Sequence, residues 1–558
     1  MAPRGPAGHS IVVSGAIGFA MRSMLIGTVL LGAALWAPPS ASAQDPDRMG
    51  SRILSLDSWT YESIERLRSR GYLPRLNPLV QPYRRIDVAV ELVDVGADSL
   101  PEPVAGWVRM LRSELAPEFR RLSEEEEEED DDGDDDDVGG QRLGFQFLYG
   151  LTGSDSRRRD PLMPYRTSDS EGLDDRAWWS WAGGLWLETH NVAAESRLHW
   201  DTWYKEVHGD PDGQNPGGFK AFGRTDNAYL TLAYPWGNIW VGRFKRNWGP
   251  IGQTGMMIAD NATSYPQIGL DLGRGSLTFR FIAGELESVN GRQRYIVGNR
   301  LDYRRGNFWV SLGESALYSG EVAVLRLFNP LEFIFFDHNA NNDQPGISGN
   351  VMFNGMFWTR VGEATLYGEF VLDDFDLNPR TGKVDRPIEP TSYQLSLGGR
   401  YLGVSDRLEF GFDYRRVSAL SYRSGVVTEI WMHLDRGLGD PWSDYDRLTL
   451  RADLYPSVGG LRISPVLQFQ RNGEGDYRIP FPPRDELVAL PGIFQGVVET
   501  TKRVALQGRY QPRSEVFVEW DLGRSFVSNA GHLAGSSEGR FSFLLRLGLT
   551  FEFPLGEP

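Results

Sequence analysis

The stretch that decides the fold is Phe-Ser-Phe-Leu-Leu-Arg-Leu-Gly-Leu-Thr-Phe-Glu-Phe, residues 541–553. Every odd-numbered position in it is Phe or Leu, whereas the even-numbered positions include Arg546 and Glu552. This two-residue period places one apolar face on a β-strand, because successive side chains point to opposite faces. The stretch is longer than a typical strand of about five or six residues. It suits a tilted strand that crosses a bilayer, which needs about 9 to 11 residues.

The same period recurs from residue 142 to the end of the chain and predicts about 18 antiparallel strands. Short connections follow the even-numbered runs and longer ones follow the odd-numbered runs, as in barrels with short periplasmic turns and long outer loops. The sequence therefore predicts an all-β transmembrane barrel over residues 142–558. The predicted strands are 142–152, 178–189, 192–205, 226–235, 238–246, 266–272, 275–285, 293–303, 306–318, 351–360, 364–374, 391–401, 406–417, 446–455, 461–471, 500–511, 514–526 and 540–553.

Alternation also predicts which side chains face lipid and which face the lumen. In the run 446–455, Leu448 and Leu450 would face lipid, while Arg451 and Asp453 would face inward. The lumen is then lined by charges of both signs. Such a lining is compatible with an interior closed by ion pairs across the barrel or with a water-filled pore, and the sequence leaves both open.

Residues 1–43 have the three parts of a secretory signal peptide. Met21-Arg22 precedes an apolar stretch, and the small residues Ala41-Ser42-Ala43 follow it. The apolar stretch, residues 24–36, is shorter than the roughly 20 residues of a membrane-spanning helix. We therefore expect cleavage near Ala43 and export to the bacterial outer membrane.

Residues 44–122 differ from the rest of the chain and predict a small periplasmic α-helical unit. Apolar residues recur there at helical spacing, as at Tyr61, Ile64 and Leu67. The acidic run within 123–141 has no apolar residue to bury and predicts a disordered linker. Calcium binding by this run is an alternative, although it lacks the spaced ligands of a defined calcium loop.

Composition narrows the function classes. The chain has no cysteine, which excludes disulfides, Cys-ligated zinc and cysteine nucleophiles. The net charge is −17, and the run Glu124–Asp137 holds 13 of the acidic residues. Without this run the charge is −17 + 13 = −4, so the rest of the chain is nearly balanced and offers no basic surface for nucleic acid. The aromatic content of 12% suits the girdles of a membrane barrel. A large soluble β protein is the alternative, since the mean hydropathy is −0.36.

No catalytic constellation is visible, and we predict that the protein is not an enzyme and has no cofactor or metal. The pair Asp373-Asp374 resembles the carboxylate pairs of some hydrolases, yet neighbours on a strand point to opposite faces. We interpret the pair as strand-end carboxylates at the base of a loop. Asp337-His338 could form an acid-base couple or hold a turn, and we favour the turn because no nucleophile lies near it in the sequence.

Two predicted outer loops carry a specific resemblance. The first contains Trp248-Gly249-Pro250 followed by Asn261-Ala262, and the second is 436–444, Arg-Gly-Leu-Gly-Asp-Pro-Trp-Ser-Asp. With the strand 367–374 and the N-terminal Gly71-Tyr72-Leu73, these segments resemble the capsule-assembly Wzi family of outer-membrane proteins. The acidic run and the tail beyond the last aromatic residue do not look typical of that family.

The resemblance implies an 18-stranded barrel, a periplasmic helical bundle and a lectin-like role at the cell surface. The expected partners are outer-membrane lipid and capsular or exopolysaccharide, and a requirement for polysaccharide export machinery stays open. Aromatic faces, carboxylates, amides and Arg are the groups that hold sugars. The candidate contacts in the loops are Trp248, Asn261, Asp343, Arg436, Trp442 and Asp444.

Two alternatives accompany these expectations. Trp248 and Trp442 could pack the loops over the barrel mouth instead of contacting sugar. The whole chain could also be a porin-like channel for small solutes, because charged residues line the predicted lumen.

Overall fold

The structure is a computed structural model that describes most of the chain after the predicted signal peptide. The described residues are 49–128, 141–154, 162, 177–202, 222–273, 276–320, 329–330, 334, 347–373, 391–482, 484–487 and 490–555.

Four of the five α-helices in the described residues lie in the N-terminal part of the chain. Ile64 and Leu67 share the buried face of α1, at a spacing that places helical residues on one side. α4 ends at Glu128, so the predicted linker 123–141 begins inside a helix. No helix in the described ranges is apolar and long enough to cross a membrane. The helices are α1 Thr60–Ser69, α2 Arg85–Leu92, α3 Val104–Glu114, α4 Ala116–Glu128 and α5 Arg484–Leu487, with 3₁₀ turns at Ala97–Ser99, Val427–Glu429 and Ala530–His532.

Eighteen strands form one closed antiparallel barrel, and two more strands in the described residues form a short hairpin. Each barrel strand pairs with its neighbours in sequence, and β20 pairs back to β1, with Tyr149 opposite Leu549. The strands are β1 Arg142–Ser154, β2 Ala177–Glu188, β3 Val192–Asp201, β4 Phe222–Tyr234, β5 Gly237–Phe244, β6 Tyr265–Leu272, β7 Leu277–Val289, β8 Arg292–Arg305, β9 Phe308–Gly320, β10 Ile347–Val361, β11 Ala364–Leu372, β12 Tyr393–Ser405, β13 Leu408–Val417, β14 Met432–His433, β15 Arg436–Gly437, β16 Tyr445–Leu454, β17 Leu461–Asn472, β18 Glu499–Arg513, β19 Val516–Ser528 and β20 Ser537–Leu555.

The predicted fold class is therefore confirmed. Each of the 18 predicted runs corresponds to one barrel strand, whose ends differ from the prediction by at most four residues. The facing of the last strand also agrees with its alternation. Phe541 is 64% exposed on the outside of the barrel, whereas Glu552 accepts a hydrogen bond from Arg52 in the interior.

The N-terminal plug, residues 49–128, occupies the barrel end that carries the short turns. Its charged side chains pair with the inner wall in several directions, as in Arg52 with Glu188 at 3.3 Å and Glu65 with Arg400 at 2.7 Å. Buried charges cost several kcal/mol unless they are paired, so these contacts fix the plug in place. Further contacts join Glu62 to Arg462 at 2.9 Å, Arg70 to Glu409 at 2.6 Å and Asn77 to Asp302 at 2.9 Å.

The lumen loop, residues 245–264 between β5 and β6, enters the barrel from the opposite end. The Met256 backbone N–H donates to the carboxylate of Glu369 on the wall at 2.9 Å. Deeper in, Gln81 of the plug and Asn247 of the loop exchange two backbone hydrogen bonds of 2.9 and 3.0 Å. The Asn247 side chain also donates to the Gln81 side-chain oxygen at 2.8 Å. The plug and the lumen loop therefore meet inside the barrel.

Candidate functional site

The outer cap is formed by loop 418–444 and the described part of loop 473–498, which fold over the lumen loop. The Trp431 indole N–H donates to the Met257 carbonyl at 2.8 Å. The Ala259 backbone N–H donates to the Leu438 carbonyl at 2.7 Å. The cap and the lumen loop therefore pack as one layer over the barrel mouth. All predicted contact residues that the structure describes lie in this layer.

Trp248 belongs to the lumen loop and is fully buried beneath the cap. It packs in one apolar cluster with Met256 and Ile296, and the Arg300 guanidinium lies 5.7 Å from its ring centre. A Cβ atom added at Gly298 would lie 3.0 Å from the ring, so the wall is shaped around it. Trp248 holds the lumen loop against the wall, which is the packing alternative considered for it.

Trp442 is buried within the cap, with 5% of its surface exposed. Its ring meets Tyr445 edge-on with centroids 5.5 Å apart, and the Arg447 guanidinium stacks 4.4 Å from its centre. The Tyr445 hydroxyl donates to the Asp440 carboxylate at 2.8 Å, and this carboxylate also accepts from the backbone N–H of Trp442 at 3.1 Å. In this conformation Trp442 presents no open face to a sugar.

Asp444 joins the two loops of the cap. Its carboxylate accepts backbone hydrogen bonds from Phe494 at 2.7 Å and from Gly475 and Gln495 at 2.9 Å. The side chain is buried, and this burial raises its pKa despite the three N–H donors. Its φ of 57° lies in the left-handed region that Asp tolerates better than most residues. The position is therefore built for holding the two loops together.

Asn261 and Arg436 are the two predicted contacts that remain partly exposed, and they lie side by side. The Asn261 amide donates to the Gly437 carbonyl at 2.8 Å, which places it next to the hairpin residue Arg436. Asp435 is exposed beside them, and Asp260 lies next to Asn261 in sequence. We define this group of side chains as the polar edge of the cap.

Asp343 lies outside the described residues, as do Asp374 and the pair Asp337-His338. Asp373 is described, and its carboxylate accepts the Tyr422 backbone N–H at 2.6 Å. Since Asp373 directly follows β11, this contact is that of a strand-end carboxylate anchoring a loop. It agrees with our interpretation of that residue.

Several residues that organise the cap were not singled out from the sequence. The Tyr422 hydroxyl donates to the Met256 carbonyl and accepts the Asp440 N–H at 3.0 Å. His433 contacts Glu287 at 2.5 Å and thereby ties the β14–β15 hairpin to the end of β7. The aromatic residues of loop 418–444, Tyr422, Trp431 and Trp442, give some indication of such packing. Contacts between residues so far apart in sequence, however, leave no local pattern.

The chemistry of the cap is that of recognition. The polar edge offers an amide, a guanidinium and carboxylates, which together can donate to and accept from hydroxyl groups. In the part of the chain that the structure describes, no group of three or more His, Asp or Glu side chains is arranged to hold a metal ion. The expectation that the protein uses no metal or cofactor stays a prediction.

Comparisons with known proteins identify the fold. Neither the protein-family models nor the curated proteins gave a match. Among solved structures, the chain is similar to Wzi of Escherichia coli, described as an outer-membrane protein involved in group 1 capsule assembly and a carbohydrate-binding β-barrel. The identity is 13%, the TM-score is 0.55, and the match covers 89% of this chain and 99% of that one.

Other matches are more distant. A BenF-like porin from Pseudomonas fluorescens gives a TM-score of 0.42 at 9% identity, and the match covers 75% of this chain and 100% of the porin chain. OccK11 (OpdR) of Pseudomonas aeruginosa gives 0.39 at 15% identity, covering 74% of this chain and 96% of the other. The chain has the barrel fold of outer-membrane proteins.

Proposed function

We propose that this protein is a non-enzymatic outer-membrane barrel that binds capsular or exopolysaccharide at the cell surface through its outer cap. The observation that carries the proposal is the meeting of the plug and the lumen loop at Gln81 and Asn247. A barrel filled from both ends is poorly suited to conduct solutes, but it offers a rigid platform for loops. The similarity to Wzi, described as a carbohydrate-binding barrel, supports the same function.

The polar edge is the part of the cap best suited to contact the polysaccharide. Asn261 and Arg436 would bond sugar hydroxyls directly, and Asp435 would accept from them. Trp248, Trp442 and Asp444 would act indirectly, by holding the loops that carry these groups. We retain Asp343 as a proposed contact because its position in the sequence, between β9 and β10, follows an odd-numbered strand as the other predicted outer loops do.

The proposal is tested by the amount of polysaccharide that cells retain. A deletion strain should lose surface polysaccharide, and the wild-type gene should restore it. Complementation with the double variant Asn261→Ala/Arg436→Ala should restore the barrel but little of the retention. Arg524→Ala is the matched control, since Arg524 is exposed on the lipid side of β19 and should leave retention unchanged.

Purified protein allows a direct measurement of the same contacts. We expect the double variant to bind the polysaccharide about tenfold more weakly, because it loses two polar contacts of about 0.5 to 1.5 kcal/mol each. Normal retention in the deletion strain would contradict the proposed function. Equal binding by wild type and double variant would contradict the assignment of the polar edge.

The porin-like alternative makes an opposite prediction in planar bilayers. If the plug and lumen loop fill the barrel, the wild-type protein should show little steady current. Removal of residues 249–258 from the lumen loop should raise the conductance, because the loop then no longer reaches Glu369 on the wall. A large steady current through the wild-type protein would favour the channel.

A further inference from the structure

A cavity lies at the opposite end of the barrel from the outer cap. It has a volume of about 550 Å³ and opens between helices α1 and α3 on one side and the barrel rim on the other. The rim contributes the turns 455–460 and 514–515, which follow β16 and β18. Because these are short turns, they belong to the side that faces the periplasm in barrels of this type.

The lining of this cavity is strongly basic. Glu62 already neutralises two of the arginines, since it pairs with Arg462 at 2.9 Å and lies 3.5 Å from Arg509. Burial opposes the ionisation of Glu62, but the neighbouring arginines hold its pKa well below the ordinary value. Glu102 pairs with Arg109. The lining contains six arginines and three glutamates, namely Arg66, Arg109, Arg407, Arg462, Arg509 and Arg513 with Glu62, Glu102 and Glu515.

Two of these arginines are available to a ligand. Arg407 and Arg513 are both exposed. Arg407 donates to the Ser457 hydroxyl at 2.7 Å, and the Arg513 side chain has no partner within the described residues. A guanidinium group binds phosphate oxygens through two parallel N–H donors and keeps its charge at any physiological pH. The mouth of the cavity therefore suits a phosphate group.

An apolar groove of about 670 Å³ lies on the lipid side of the same strands. Its lining includes the small residues Gly399 and Ala452 as well as larger apolar side chains. Ala452 of β16 precedes Tyr455, at the start of the turn that lines the cavity, by three residues. Three residues correspond to about 10 Å along a strand. The larger side chains that line the groove include Leu366, Tyr401, Phe410, Leu450, Leu467 and Val504.

We propose that this end of the barrel binds one anionic glycerophospholipid of the periplasmic leaflet. Its phosphate lies at Arg407 and Arg513, and its acyl chains follow the groove on the lipid side. The turn 455–460 separates the two sites, so the headgroup bends over the rim into the cavity. Because headgroup and chains find matching surfaces on the same strands, the lipid is a better occupant than a free anion.

Native mass spectrometry of the full-length protein tests this assignment. The protein in detergent is offered equal amounts of phosphatidylglycerol and phosphatidylethanolamine with identical acyl chains. We expect one phosphatidylglycerol to be retained preferentially. The double variant Arg407→Gln/Arg513→Gln should retain it about tenfold less, because two charge-assisted contacts are lost.

Two further variants distinguish the loss of positive charge from the blocking of the cavity, and both from a general effect of mutating the rim. Gly459→Trp should also displace the lipid while leaving all arginines in place, since a Cβ at Gly459 meets no atom within 4 Å. Arg305→Gln is the matched control, because Arg305 is exposed at another turn of the same rim and does not line the cavity. It should retain the lipid like the wild type. Heat-dependent gel mobility checks that every variant is folded.

Competition decides between the lipid and a soluble anion. Inorganic phosphate or an oligomer of glucuronic acid at the same concentration should leave the bound phosphatidylglycerol in place. Displacement by either would overturn the lipid assignment. Equal retention of the two lipids, or retention unchanged in both the double variant and Gly459→Trp, would overturn the site itself.

Discussion

The two ends of this barrel are closed by different kinds of contact. The plug is held by charge, as in Arg400, which contacts Glu65, Asp453 and Glu409 at 2.7, 3.3 and 3.6 Å. The outer cap is held mainly by backbone hydrogen bonds and by packed aromatic and Met side chains around residues such as Trp248. Closure by ion pairs depends on every partner being present, whereas closure by packing is spread over many weak contacts.

The largest effect should come from Arg400→Met, in the barrel wall where it pairs with Glu65 of the plug. This change leaves the buried carboxylates of Glu65, Glu409 and Asp453 without their shared partner, and such losses cost about 3 to 5 kcal/mol. Hydrogen exchange of the α1 amides should become much faster, while exchange in the cap should not change. Arg305→Met is the control, because Arg305 is exposed at the turn between β8 and β9. It should alter the free energy of unfolding by less than about 0.5 kcal/mol. Unchanged exchange in α1 would show that the plug is not held by charge.

The next largest effect is expected for Asp444→Ala in the cap. Three backbone N–H groups lose their acceptor, and we expect a local cost of about 2 to 3 kcal/mol. Protease should then cleave within loop 473–498. Asp476→Ala removes a partly exposed pair with Arg478 and should cost less than about 1 kcal/mol. If both variants resisted the protease equally well, Asp444 would not be the residue that holds the two loops of the cap together.

Acid should loosen the plug more than the cap. The pKa of Glu62 in the folded protein lies below its ordinary value of 4.5, because burial is outweighed by three arginines. A depressed pKa contributes stability at pH values above 4.5, and this contribution is lost as the pH falls towards the folded value. Hydrogen exchange of α1 at pH 3.5 and pH 7 measures the effect. Glu62→Gln should reduce the difference, and an unaltered difference would assign it to other groups.

The smallest effect on stability is expected for Arg436→Ala at the polar edge. Its side chain is partly exposed, and such substitutions change stability by about 0.5 kcal/mol or less. The melting temperature should therefore stay close to that of the wild type while polysaccharide binding falls. A large loss of stability would mean that Arg436 holds the hairpin instead of contacting a ligand.

The contrast between the two ends also explains what could be predicted from the sequence. The strands were predictable because lipid on one side of the wall enforces a two-residue period that Phe541–Phe553 shows without interruption. The filling of the lumen could not be predicted, because an ion pair such as Glu65 with Arg400 joins residues that are far apart in sequence and share no local pattern. The sequence could place Trp248 and Trp442 in outer loops, yet whether each ring faces solvent depends on contacts made elsewhere in the chain.

The backbone bridge between Gln81 and Asn247 joins the plug at one end of the barrel to the lumen loop that enters from the other. Any ligand that pulls the lumen loop outward must break this bridge, and any change that withdraws the plug must break it as well. Linkage is reciprocal, so the free energy that one face transmits to the other is the same in both directions. A polysaccharide that pulls the lumen loop outward should therefore make the Gln81 backbone amide, buried inside the barrel, exchange faster.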